Sequence, residues 1–110
     1  MTKGSAIADA IRFVEEFRKL DLEMQMQTAL IFLLVARDEG CSLRDLERNT
    51  GLTSASVSRN VAALSDVHRK GKPGHNLITA KVDPADRRNL QLFLTAKGRS
   101  VLNTVTERFH

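Results

Sequence analysis

The stretch Leu52-Thr53-Ser54-Ala55-Ser56-Val57-Ser58-Arg59-Asn60-Val61-Ala62-Ala63-Leu64 decides how this chain is read. Thr53 suits an N-cap, its hydroxyl accepting from an early helical N–H. Val57, Val61 and Leu64 follow at i, i+4 and i+7, the spacing of one apolar stripe on a helix. The opposite side then carries Ala55, Ser56, Arg59, Ala62 and Ala63, flanked by Ser54, Ser58 and Asn60. Small residues allow close approach to a DNA major groove, and Arg and Asn match guanine and adenine edges. The spacing therefore predicts a short helix held at its back and read at its front. An ordinary surface helix is the plainer alternative, since small polar residues are common at helix starts. The residues on both sides weigh against it.

Upstream, Ser42 suits the cap of a helix over Leu43 to Thr50, with Leu43 and Leu46 inward and Arg44, Asp45, Glu47 and Arg48 outward. Gly51 stands at the C′ position, where a positive φ favours glycine. Helix, glycine turn, helix is the helix-turn-helix pattern, although unrelated helical hairpins share its apolar spacing. Before it, Met24 to Arg37 reads as a helix whose Ala29–Ala36 run is apolar nearly all round, which predicts burial on every side. Ser5 to Leu20 forms a first helix with Ile7, Ala10, Ile11, Val14, Phe17 and Leu20 along one side, widened by Phe13. A partner subunit is the preferred cover for that stripe, with packing on the chain's own core as the alternative.

Downstream, His68 to Asn76 contains two Gly and one Pro and reads as a loop. It carries Arg69, Lys70 and Lys72 and no acid. Leu77 to Val82 is a strand, Asp83 to Asn89 a turn-rich tip, and Leu90 to Leu94 a returning strand, so the two strands make a hairpin. Thr95 caps a last helix from Ala96 to about Phe109, with Val101, Leu102, Val105 and Phe109 as its apolar stripe. Gly98 and several β-branched residues weaken that helix, so it needs tertiary or intersubunit support. The fold class expected is mostly α with a small β-hairpin, a winged helix-turn-helix of about five helices.

With 110 residues, one domain is expected over residues 1–110. Within it, residues 5–20 read as a dimerisation helix, 24–94 as the helix-turn-helix core with its hairpin, and 95–110 as a C-terminal dimerisation helix. The net charge of +4 permits a nucleic-acid partner. Its distribution says more: residues 1–40 hold five basic against seven acidic side chains, whereas residues 41–99 hold eleven against five. The positive charge thus belongs to the segment around the reading helix. There is no Trp or Tyr and only five Phe, which argues against a single-strand binder that stacks bases on exposed rings. A single cysteine, Cys41, cannot form an internal disulfide and fits a reducing cytoplasm. No export signal stands at the N-terminus, and the longest apolar run is too short to span a bilayer, so no membrane is expected.

Three local patterns, in order, resemble the MarR-type winged-helix transcription regulators. Ser56-Val57-Ser58-Arg59-Asn60-Val61, ending at Leu64, is similar to their recognition helix. Asp83-Pro84-Ala85-Asp86-Arg87-Arg88 resembles their wing, and Leu94-Thr95-Ala96-Lys97-Gly98 the junction after it. The resemblance covers about Met24 to Val105. It implies a homodimer that binds a near-palindromic double-stranded DNA site, with the recognition helix in the major groove and a wing arginine in the minor groove. A narrow minor groove concentrates negative potential and favours an inserted guanidinium, and Asp86 is placed to orient Arg88 by a charge-assisted bond. A solvated turn is the plainer account of Asp86-Arg87-Arg88.

The expected DNA-binding residues are therefore Ser54, Ser56, Ser58, Arg59, Asn60, Arg69, Lys70, Lys72, Asp86, Arg87 and Arg88. Ile7, Ile11, Val14, Phe17, Val101, Leu102, Val105 and Phe109 are expected at the dimer contact. Two departures stand out: the His68 to Asn76 insertion, read as a phosphate-binding loop or a contact with another protein, and the short last helix, which leaves the dimer to helix one and the C-terminal helix. A small-molecule effector finds no support, and no cofactor is expected. Cys41 lies away from the helix-one cysteine of redox-sensing members and reads as a buried inert thiol. His68, His75 and Cys41 lack the paired spacing of a zinc site, so the histidines read as weak polar contacts. Met24 and Met26 read as core or interface filler, and Arg44 and Arg48 as a phosphate contact or a solvated face. No nucleophile–base pair, paired carboxylates or glycine-rich phosphate loop points to an enzyme. The alternative function is a winged-helix protein-interaction or replication/accessory module of a plasmid or phage that uses the same basic face.

Overall fold

A computed structural model describes residues 2–66 and 73–107. They form the helices α1 (Lys3–Leu20), α2 (Met26–Arg37), α3 (Leu43–Thr50) and α4 (Ser54–Leu64), the strands β1 (Ile78–Asp83) and β2 (Asp86–Leu94), and the helix α5 (Ala96–Thr106). Local chemistry sets most of these boundaries. The side chains of Thr2, Ser42, Thr53 and Thr95 accept from the backbone N–H of Ser5, Asp45, Ser56 and Gly98, so four helices start on a hydroxyl. At α3 the cap is reciprocal, since Asp45 also accepts from the Ser42 N–H, closing a capping box. Gly51 ends α3 with φ 73°, as its position after Thr50 predicts. α2 starts two residues later than its apolar pattern suggests, on Gln25, whose side chain makes no capping bond.

The core gathers on α2. Ile31, Phe32 and Val35 are fully buried there, against Leu46 of α3, Val57, Val61 and Leu64 of α4, and Leu92 and Leu94 of β2. Phe17 of α1 meets Phe32 edge to face, with ring centroids 5.9 Å apart. The expectation that α2 is buried on every side is corrected: Met26 is 88% exposed and Leu30 is also exposed, because no described element covers that flank. Phe17 and Val105, expected at a dimer contact, lie instead in the protomer's own core, since α1 packs on α5. Val101 and Leu102 pack against the same core, whereas Ile7, Ile11 and Val14 remain exposed. Phe109 lies outside the described residues.

β1 and β2 pair antiparallel in register from Ile78 opposite Leu94 to Val82 opposite Leu90, then shift so that Asp83 faces Asp86. The irregularity tightens the tip to Pro84-Ala85, where the Ala85 N–H donates to Asp83 Oδ1 at 2.8 Å. β2 is thus four residues longer than the alternation of Leu90–Leu94 suggests, and Arg87 and Arg88 stand on a strand rather than in a loose turn. Gly40 and Cys41 add one bridge to the free edge of β2, through Gly40 N–H to Leu92 O at 2.7 Å and Leu92 N–H to Cys41 O at 2.9 Å. The result is a winged helix-turn-helix. No helix among the described residues is long and apolar enough to cross a membrane.

Candidate nucleic-acid interface

α4 divides sharply around its axis. Val57, Val61 and Leu64 are buried, as their spacing predicts, and Ser56 and Asn60 are buried beside them. Ser54, Ala55, Ser58 and Arg59 are exposed. The assignment of Ser56 to the outward face, of Asn60 to its flank, and of both to DNA contact is therefore corrected. Asn60 Oδ1 accepts from Thr28 Oγ1 at 2.6 Å, and Asn60 Nδ2 donates to the Ser56 carbonyl at 2.8 Å. With both ends of its amide satisfied, the side chain sits inward without the cost of an unpaired buried polar group. Sequence reasoning missed Thr28, although a lone hydroxyl at the head of an apolar run was the available sign.

The wing presents its cations outward. The Arg88 side chain is 90% exposed and Arg87 is also exposed. Asp86 Oδ1 accepts from both the Arg88 backbone N–H, at 3.1 Å, and Arg88 Nε, at 3.2 Å. Arg88 holds the Asp86 carboxyl below the usual carboxylate range, through its side chain first and its backbone N–H second. An exposed pair of this kind adds little stability; its effect is to restrict where the guanidinium points. Arg88 also shares one cleft with Ser42, Leu43 and Arg44 at the start of α3, so the wing stands against the helix-turn-helix. On α3 itself, Arg48 pairs with Asp45, while Arg44 is exposed.

Two ties hold these parts in place. The first binds the end of α4 to the segment before β1: the N–H groups of Gly74, His75, Asn76 and Leu77 donate to the carbonyls of Asp66, Ala63, Ser65 and Leu64. Ala63 and Leu64 stand in the last turn of α4, whose carbonyls lack helical partners, so the end of the insertion caps α4. The second tie is Glu39, which follows α2. Its Oε1 accepts from the Leu94 N–H at 2.8 Å, and its two oxygens accept from the Arg99 guanidinium at 2.9 and 3.0 Å. The Leu94 N–H first and Arg99 second hold the Glu39 carboxyl below its ordinary range. Gly98, next to Arg99, passes so close to the residue before β1 that a Cβ there would stand 2.0 Å from the Leu77 carbonyl oxygen. Nothing local in the sequence marked Glu39, whose partners lie 55 and 60 residues on.

Arg69, Lys70 and Lys72, expected to bind phosphate, lie outside the described residues, as does His68. His75 Nε2 lies 3.9 Å from Asp21 Oδ2, an ion pair only when the imidazole is protonated. Cys41 is buried, and burial, reinforced by Asp38 and Asp45, pushes its thiol up to about 11, the state of an unreactive sulfur at neutral pH. Among the described residues no group of three or more His, Cys, Asp or Glu is placed to hold a metal ion.

No family model matches the sequence, and no curated protein matches it. Solved structures do. RV1404 from Mycobacterium tuberculosis superposes with a TM-score of 0.73 at 21% identity, over 94% of this chain and 66% of that one. A MarR transcriptional regulator from Methanosarcina mazei gives 0.69 at 17% identity, over 94% and 71%. MepR of S. aureus, solved in complex with DNA, gives 0.74 at 18% identity, over 96% and 77%. The chain thus spans about two thirds of the first and up to about three quarters of the others, and its fold is that of the MarR-type winged helix.

Proposed function

We propose that this MarR-type winged helix is a sequence-specific, double-stranded-DNA-binding transcription regulator that works as a homodimer. α4 enters the major groove with Ser54, Ser58 and Arg59 outward, and the wing lays Arg87 and Arg88 into the adjacent minor groove. The observation that carries this reading is the division of α4: its back is wholly committed to the core, while an exposed Arg59 stands among small residues on its front. A guanidinium in that position meets a guanine edge with two bonds, and Ala55 and Ser58 allow the close approach this needs. At the wing, Asp86 takes the Nε–H of Arg88 and leaves further guanidinium donors for a groove. The exposed Ile7, Ile11 and Val14 on α1 support a second copy as partner. The DNA complex of MepR supports duplex DNA as ligand. Arg69, Lys70 and Lys72 join as phosphate contacts on their sequence alone.

Selection of bound sequences from a random duplex pool tests the reading. A two-fold symmetric motif is expected, with half-sites about one helical turn apart. Arg59→Ala is expected to cost about 1–3 kcal/mol on the selected duplex and to relax preference at one base pair of each half-site. An unenriched pool would overturn the proposal.

A further inference from the structure

Among the described residues three polar residues are buried: Thr28, Ser56 and Asn60. Thr28 and Asn60 join α2 to α4, Thr28 Oγ1 donating to Asn60 Oδ1, and Asn60 Nδ2 donates back to the Ser56 carbonyl of its own helix. Beside them, Ile31, Phe32 and Val35 of α2 and Val57, Val61 and Leu64 of α4 share the apolar core. We propose that Thr28 and Asn60 are positioning residues, a rotational pin that fixes which face of α4 looks outward and so sets its base preference. The inference rests on the DNA-binding reading above.

Val57, Val61 and Leu64 hold α4 down, but apolar burial has no direction and tolerates small rotations of a helix. Successive residues stand about 100° apart around a helix axis, so a modest rotation moves Arg59 off the line of the groove and brings Asn60 toward it. A hydrogen bond weakens steeply with misalignment and penalises that rotation. The pin is also anchored well. Thr28 lies three, four and seven residues before Ile31, Phe32 and Val35, which are the buried centre of the core. It therefore refers α4 to the helix whose Ile31, Phe32 and Val35 are fully buried in the core. Transmission is short, because Arg59 lines the same cleft as Thr28 and Asn60. Finally, a buried polar pair gains little over a well-packed apolar pair, so stability alone does not account for a hydroxyl and an amide at this seam; a defined arrangement does.

The test measures, well below each unfolding midpoint, the affinity for the duplex selected by the unsubstituted protein and for a scrambled duplex of equal length. Thr28→Val keeps the shape and removes the donor, whereas Thr28→Ser keeps the donor. Thr28→Val is expected to lose roughly tenfold or more of the preference for the selected duplex, with the scrambled-duplex affinity and its salt dependence unchanged. Thr28→Ser is expected to retain the preference within about twofold. If Thr28→Val fails to fold because Asn60 Oδ1 is left unpaired, the double variant Thr28→Val/Asn60→Leu removes both polar groups and is expected to show the same loss of preference. The pin is overturned if Thr28→Val, or the double variant in its place, keeps the preference. It is equally overturned if Thr28→Ser loses as much, or if affinity for both duplexes falls in step. If the unsubstituted protein selects no sequence, the DNA-binding reading fails and the pin with it, an outcome distinct from the others.

Discussion

The two flanks of α2 live in different surroundings. On one, Ile31, Phe32 and Val35 are sealed by α3, α4, β2 and the ring of Phe17. On the other, Met26 and Leu30 face outward, beside Leu22 of the preceding turn and Val14 of α1, all exposed. Together with Phe13, Phe17 and Leu33 they line one apolar groove between α1 and α2. The difference separates two kinds of apolar residue that look alike in the sequence. The winged part closes its core with its own chain, while the α1 side presents an apolar surface of the sort that proteins reserve for contact.

Three substitutions break or sharpen that contrast. On the sealed flank, Phe32→Ala removes a fully buried ring and is expected to lower the unfolding free energy by about 3–5 kcal/mol in a denaturant titration. A loss under about 1 kcal/mol would mean that this flank is looser than its burial implies.

At the junction of α2 and the wing, Glu39→Gln keeps an acceptor for the Leu94 N–H but loses the charge facing Arg99. A loss of about 1 kcal/mol is expected at neutral pH. Because the folded carboxyl lies below its ordinary range, its contribution is complete above that range and fades as pH falls through the lowered value. The gap between the urea midpoints of the two proteins should therefore close as pH is brought from 7 to 3. A gap that stays constant over that span would show that the Glu39 charge does not hold the wing.

The smallest stability change is expected on the open flank. If the proposed homodimer forms through this surface, Ile11→Glu should alter the unfolding free energy of the isolated protomer by no more than about 0.5 kcal/mol, yet shift the protein from dimer to monomer in sedimentation equilibrium. A variant that stays dimeric would place the partner surface elsewhere, and an unsubstituted protein that sediments as a monomer would overturn the proposed dimer.

Much of the fold was legible because its signals are local. Ser42, Thr53 and Gly51 bound α3 and α4 at the residues their chemistry favours, since a cap acts on N–H or C=O groups three or four residues away. The wing tip was only partly legible. The alternation over Leu90–Leu94 marked a strand, but the shifted pairing of Asp83 with Asp86 decides how far β2 reaches, and pairing belongs to two segments at once. In the candidate site, Arg59 and Arg88 lie exposed as their sequence context suggested, and Asp86 bonds Arg88 as its spacing suggested. Asn60 was misplaced because side-chain type alone ranks it with the readers.

What the residues determined by themselves is the order of the elements, the capped starts of α3, α4 and α5, and the apolar back of α4 with Arg59 opposite it, because periodicity and capping operate within one or two turns. The three-dimensional arrangement alone decided that Asn60 turns inward to Thr28, that Glu39 grips the base of the wing, and that Phe17 and Val105 lie in the core while Ile11 is left exposed. Each of those outcomes depends on what a distant segment offers. A buried amide is tolerable only where a donor awaits it, and an apolar side chain is covered only where another element lies over it.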